Sequence, residues 1–205
     1  MIPPESGWSG NILSNNKPVM TVFAGTNGAG KSTLSSQMRD WIGEIVDPDR
    51  IALRLNPENP RSADLSAGKE AIKRIRTLIN FNNSFAVETT LSGTFFLRHM
   101  QLAKEKGYEI VMYYIGLQDV QMHIDRVASR VEQGGHWIAE EDIRWRYGQS
   151  LQNLEPAVGI ANQLIIIDNT YEPTIIAEIQ RNQLIYKLEQ VPNWSKSVLD
   201  LFKFG

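Results

Sequence analysis

From residue 18 onward, short apolar runs alternate with apolar positions at helical spacing. Residues 19–24, 44–46, 85–87, 109–115 and 164–167 are rich in β-branched and aromatic side chains and predict five buried strands. Between them Ala63, Ala67, Ala71, Ile75, Leu78 and Ile79 recur with a helical period, as do Phe96, Met100 and Ala103, and Val120, Ile124, Val127 and Val131. Gly107 stands where a helix stop belongs. This βαβα alternation predicts an α/β fold: a parallel five-stranded sheet with right-handed crossovers, helices on both faces, and ligands gathered at the carboxyl ends of the strands. The polar segment 132–156 interrupts the pattern for long enough to predict a helical lid insertion. Residues 1–17 mix Pro, Gly, Ser and Asn without periodicity and predict a flexible arm ahead of one domain over 18–205.

Composition narrows the function classes. A net charge of −2 and a pI near 6.0 offer no field for a polyanion, so a nucleic-acid partner is not expected and any anion site is local. The absence of Cys removes disulfides, thiolate metal sites and thiol nucleophiles, and three scattered His argue against a zinc site. No run approaches the roughly eighteen apolar residues of a membrane span, and the first residues lack a basic-then-apolar signal, so the expectation is a soluble cytoplasmic protein.

Directly after the first predicted strand stands Gly25-Thr26-Asn27-Gly28-Ala29-Gly30-Lys31-Ser32, a G-x-x-x-x-G-K-[ST] or Walker A pattern, followed by Thr33 and a helix-compatible stretch. Glycines admit the backbone geometry that lets successive N–H groups surround a phosphate at a helix N-terminus. Lys31 then reaches the β- and γ-phosphates of ATP and the Ser32 hydroxyl ligates Mg²⁺. The bare pattern arises by chance in roughly one chain in a hundred of this length, and its place between strand and helix makes accident rarer.

Acidic residues follow the next two strands. Asp47-Pro48-Asp49 reads structurally as an N-cap, a proline at N1 and a first-turn charge. In this topology it also faces the phosphate loop, where a kinase needs a carboxylate to take the acceptor hydroxyl's proton, and Asp49 is the base candidate. After the third strand, Glu88 stands where a carboxylate holds a Mg²⁺ water or a substrate hydroxyl; Thr89, Thr90 and Ser92 serve as turn formers or as substrate contacts. Arg126 and Arg130 share one helix face, and Arg144 and Arg146 follow a Gly134-Gly135-His136 break, so these arginines suit the charge of a transferring phosphoryl group or plain surface pairing. Trp137, Trp145 and Tyr147 read as lid packing ahead of a stacking platform. Asp168-Asn169 reads as a turn or an adenine-side loop.

Taken in order, residues 24–33, 47–52, 88–93 and 126–136, with Arg146-Tyr147, Ser150-Leu151, Asn153-Leu154 and Asp168-Asn169, resemble the zeta-toxin family of P-loop kinases in its short chromosomal branch. The resemblance covers residues 18 to about 170. It implies a P-loop NTPase/kinase-type fold, ATP and Mg²⁺ as cofactors, and phosphorylation of a hydroxyl on a nucleotide sugar, UDP-N-acetylglucosamine at its amino-sugar 3′-hydroxyl. Carried over by motif, Asp49 is the base. Residues Gly25, Thr26, Asn27, Gly28, Ala29, Gly30, Lys31, Ser32 and Thr33 with Arg126 hold the nucleotide. Glu88, Thr90 and Ser92 meet the substrate, and Arg130 with Arg144 or Arg146 faces the phosphates. An antitoxin supplied in trans is the implied protein partner. Kinases for another sugar, an antibiotic or a nucleotide share these motifs, because acceptor choice lies in pocket shape. A nucleotide-switched regulatory ATPase would need Lys31 but not Asp49.

Overall fold

A computed structural model describes residues 17–135 and 137–202 of the chain. Lys17 apart, the arm expected over 1–17 lies outside the described residues, as does His136. The chain runs β1 (Val19–Ala24), α1 (Lys31–Gln37), α2 (Arg39–Ile42), β2 (Glu44–Val46) and α3 (Pro48–Leu55). A 3₁₀ turn (Pro60–Ala63) leads into α4 (Asp64–Asn80), followed by β3 (Phe85–Thr89), α5 (Thr94–Glu105) and β4 (Glu109–Gly116). Then come α6 (Val120–Glu132), α7 (Glu140–Ile160), β5 (Gln163–Asp168), β6 (Thr174–Gln180), β7 (Gln183–Lys187) and α8 (Asn193–Leu199). Among the described residues no helix is long and apolar enough to cross a membrane.

One sheet holds the strands in the order β2-β3-β1-β4-β5-β6-β7. The first five are parallel, as expected, with Met20 beside Phe85 on one side and Ile110 on the other. The sheet has seven strands, not five: β6 and β7 form an antiparallel hairpin added to the β5 edge. The hairpin turns on Arg181 and Asn182, both at positive φ (49° and 63°), the geometry of a two-residue type I′ turn usually written Asn-Gly. β7, mostly exposed, holds only the three-residue run Leu184-Ile185-Tyr186 between polar residues, so strand and turn announce themselves weakly in the sequence.

Alternate residues of the parallel strands feed two hydrophobic layers. Met20, Val22, Ile110, Met112 and Ile166 point into the larger one, where α4, α5, α7 and α8 close over them. Phe23, Val111, Tyr113, Ile165 and Ile167 point to the other, covered by α1 and α2 through Leu34, Met38 and Ile42. Completely burying one such side chain contributes roughly 1.5–3 kcal/mol, so a sheet sandwiched on both faces is a rigid floor for the loops at its carboxyl edge. The expected insertion 132–156 comprises the end of α6, a connection and most of α7. Leu154, Ala157 and Val158 of α7 sit in the larger core, so that helix is anchored in the domain and only its first turns overhang the strand ends.

Candidate functional site

The order of strands reverses around β1, and the loop leaving β1 lies at that switch point. Gly25 adopts φ +136°, and a Cβ there would stand 2.1 Å from the Ile115 carbonyl oxygen. Gly30 caps α1 at φ +100°, where a Cβ would meet the Asn169 amide nitrogen at 2.5 Å. Neighbouring elements hold the loop by its carbonyls. Asn169 Nδ2 donates to Ala29 O (2.8 Å), Lys31 Nζ to Thr26 O (3.2 Å), and His123 Nδ1 lies 2.8 Å from Asn27 O. Because a carbonyl only accepts, His123 Nδ1 carries the proton. Burial pushes this imidazole down to about 4, with Lys31 and Arg126 acting in the same direction, so it holds the loop in its neutral form.

Thr26 and Asn27 are buried, Ala29 is fully buried, and Gly28, Ser32 and Thr33 line the cleft above them. Burial lowers the Lys31 ammonium's pKa, and the carboxylates of Asp49, Glu88 and Asp47 act against that shift. Glu88, 4% exposed at the end of β3, accepts from Ser32 Oγ through one oxygen and from Ser35 Oγ through the other, both at 2.6 Å. The expected substrate contact is therefore also bound to α1. Beyond it, Leu91 N donates to Thr89 Oγ1 (3.0 Å), and the hydroxyls of Thr90 and Ser92 stand 2.8 Å apart on the cleft wall. Asn153 Nδ2 of α7 donates to Leu91 O (2.9 Å) and fixes this segment from the other side.

At the end of β2, Asp47 is the N-cap of α3, accepting from Asp49 N at 2.9 Å, with Pro48 in the first turn. Its second oxygen lies 3.4 Å from Arg50 Nε. Burial raises this carboxyl to about 6, and the nearby charges of Glu88 and Asp49 add to the shift. Asp49 is exposed and lines the same cleft.

The four arginines separate. Arg126 spans from α6 to the loop after β5, donating through Nη2 to Asn169 O (2.8 Å) and Thr170 O (3.0 Å). Arg146 Nη1 donates to Asn27 Oδ1 (3.0 Å), and Arg130 lines the cleft, where its charge acts on Lys31. Arg144 instead turns to the surface, where Glu140 Oε1 accepts from its Nε (2.9 Å) and Nη2 (2.6 Å) and Gln121 Oε1 from Nη2 (2.9 Å). Trp137 and Trp145 stay 52% and 59% exposed, where the sequence had suggested packing. Asp168 Oδ1 accepts from Thr170 Oγ1 (2.8 Å) and Trp194 Nε1 (3.0 Å), so this strand end is a buttress.

One cleft of about 760 Å³ collects Lys31, Ser32, Asp49, Glu88, Thr90 and Ser92 together with Arg126, Arg130 and Arg146. Ser35 and His123 were not anticipated. Ser35 lies one helical turn beyond Ser32 and hence on its face, and His123 interrupts the apolar stripe of α6 between Val120 and Val127; a polar residue on a buried stripe was the available signal.

No protein-family model matches the sequence. An "Uncharacterized protein" of Haemophilus influenzae is 42% identical over 135 residues, 66% of this chain and 95% of that protein. Among solved structures, a chain of the PezAT chromosomal toxin-antitoxin system of Streptococcus pneumoniae superposes with a TM-score of 0.62 at 18% identity, over 94% of this chain and 80% of its own length. A chain of the AvrRxo1-ORF1:-ORF2 complex with ATP gives 0.69 at 13% identity, over 92% of this chain and 65% of its own. The fold is thus the one these chains share, an α/β fold with a mostly parallel sheet and helices on both faces, and the chain belongs to the same family as the Haemophilus influenzae protein.

Proposed function

We propose that this member of that family is an ATP-dependent phosphotransferase acting on a hydroxyl of a small molecule. The observation that carries the reading is the convergence in one cleft of the Gly25–Ser32 loop, the Asp49 carboxylate and two arginines from α6 and α7, Arg130 and Arg146. Backbone N–H groups of the loop and Lys31 bind the β- and γ-phosphates. Arg130 and Arg146 neutralise the equatorial oxygens of the transferring group. Asp49 accepts the acceptor's proton as the acceptor oxygen bonds to the γ-phosphorus and the bond to the departing ADP breaks. Asp47 is the weaker candidate for base, since one oxygen is committed to the α3 N-terminus and the other faces Arg50.

Mg²⁺ suits the donor set, since the Ser32 hydroxyl backed by Glu88 and flanked by Asp47 and Asp49 offers hard oxygen ligands, and the ion would neutralise phosphate charge there. Glu88 then acts chiefly by orienting Ser32, with Thr90 and Ser92 left to meet the acceptor. The resemblance to zeta toxins supports UDP-N-acetylglucosamine as acceptor, and an antitoxin covering the nucleotide site as partner.

Lys31→Ala tests the phosphate assignment. Transfer falls by about 10³ or more while the melting temperature stays within a few degrees, because Lys31 serves as a charge on the phosphates. Transfer within about tenfold of wild type contradicts the assignment.

A further inference from the structure

Asn27 stands at a junction of three elements. It is buried at 3% exposure in the loop after β1, yet two helices hold it at once. From α7, Arg146 Nη1 donates to its Oδ1 at 3.0 Å. From α6, the protonated Nδ1 of His123 donates to its carbonyl oxygen at 2.8 Å. The buried His123 ring in turn meets the Tyr147 ring edge-on, with centroids 5.5 Å apart, so α6 and α7 are joined directly beside the loop.

The space at the next residue is an independent observation. Gly28 adopts φ +80°, and a Cβ there would stand 2.8 Å from the His123 carbonyl oxygen and 3.4 Å from Arg126 Cβ. The helix that carries Arg126 and Arg130 therefore abuts the loop with no room for a side chain at Gly28. The side chain at 27 is also chemically suited to an arginine. A guanidinium only donates, so the atom of Asn27 that faces Arg146 is the amide oxygen. That bond occupies one of five N–H groups and leaves the others for phosphate oxygens. An aspartate in the same place would grip the arginine more strongly, but its charge would offset that of the guanidinium beside a loop that binds anions. The neutral amide holds the cation and leaves its charge intact.

Resting on the kinase reading above, we propose that Asn27 is a positioning residue, whose side chain holds the Arg146 guanidinium over the phosphate loop for the γ-phosphate while His123 fixes its carbonyl. Loop, α6 and α7 thereby present their cations to the nucleotide in one register.

The test is calorimetric binding of Mg²⁺-ADP and of the Mg²⁺-bound β,γ-imido analogue of ATP to the full chain, with no acceptor added. It compares wild type, Asn27→Ala, Arg146→Ala and the double variant. The quantity read is the ratio of the two dissociation constants, which isolates what the γ-phosphate contributes. Arg146→Ala shifts that ratio against the analogue by about tenfold, as for a lost charge-assisted hydrogen bond. Asn27→Ala shifts it the same way by at least about threefold, and the double variant stays within about twofold of Arg146→Ala alone. A merely structural role would weaken both nucleotides together and leave the ratio where it was. Asn27→Ser, polar but too short to reach Arg146, takes the place of Asn27→Ala if that variant melts early. A shift below about threefold in either single variant, or shifts that multiply in the double variant, overturns the positioning role, while nucleotide binding itself keeps the kinase reading standing. A shift in favour of the analogue on removing Asn27 also overturns it, because the bond would then sequester Arg146. Failure of wild type to bind either nucleotide refutes the kinase reading, and the proposal with it.

Discussion

Asp47 and Asp49 are two residues apart, yet their surroundings give them different work. Asp47 is 6% exposed, caps α3 and has its carboxyl raised to about 6, whereas Asp49 stands in the cleft beside Lys31. A carboxyl whose folded value exceeds its unfolded one binds more protons when folded, so the stability it contributes is present at low pH and is lost as pH rises from about 4 to about 6. Asp47→Asn keeps a capping side chain and removes the buried charge. It should raise stability at pH 7.5 by on the order of 1–3 kcal/mol and leave it nearly unchanged at pH 3.5, which denaturant titrations at the two pH values would show. A loss at pH 7.5 would mean that the Arg50 contact outweighs burial. Asp49→Asn separates base from first-turn charge: transfer falls at least about a hundredfold while melting moves by only a few degrees and ATP still binds.

At the scale of elements, the parallel strands and the Gly25–Ser32 turn between strand and helix were legible because their signals are local. Apolar runs mark the strands, and Gly25, Gly28 and Gly30 mark a backbone that other residues cannot follow. Arg144 and Arg146 show where locality ends. They lie about 200° apart around α7, so only one can face the cleft, and the phase is set by Leu154, Ala157 and Val158 reaching the core far down the helix. The Glu88–Ser35 contact joins residues 53 positions apart, and no spacing in the chain reports it. The β6–β7 hairpin was missed because Arg181-Asn182 is an unusual occupant of its turn. Replacing the pair by Asn-Gly, as R181N with N182G, should raise stability by about 0.5–1 kcal/mol and leave phosphoryl transfer unchanged. Thermal melts and turnover measured on the same preparation would check both halves of that statement, and a destabilised double variant would contradict the turn geometry.

Over the whole molecule, a sheet buried on both faces carries one cleft at its carboxyl edge, where Lys31, Arg126, Arg130 and Arg146 come from the loop after β1, α6 and α7 and the carboxylates of Asp49, Asp64 and Glu88 come from α3, α4 and β3. A net charge of −2 spread over 205 residues hides this division, which becomes visible only when β2, β3 and α6 are brought around the loop after β1. The central claim is that the cleft moves a phosphoryl group from ATP to a second small molecule. Its most direct test is mass spectrometry of a metabolite extract incubated with the protein, ATP and Mg²⁺. The account predicts a new species heavier by one phosphoryl group, formed by wild type and absent with Asp49→Asn. ADP released at the same rate with or without extract, and undiminished in Asp49→Asn, would contradict it.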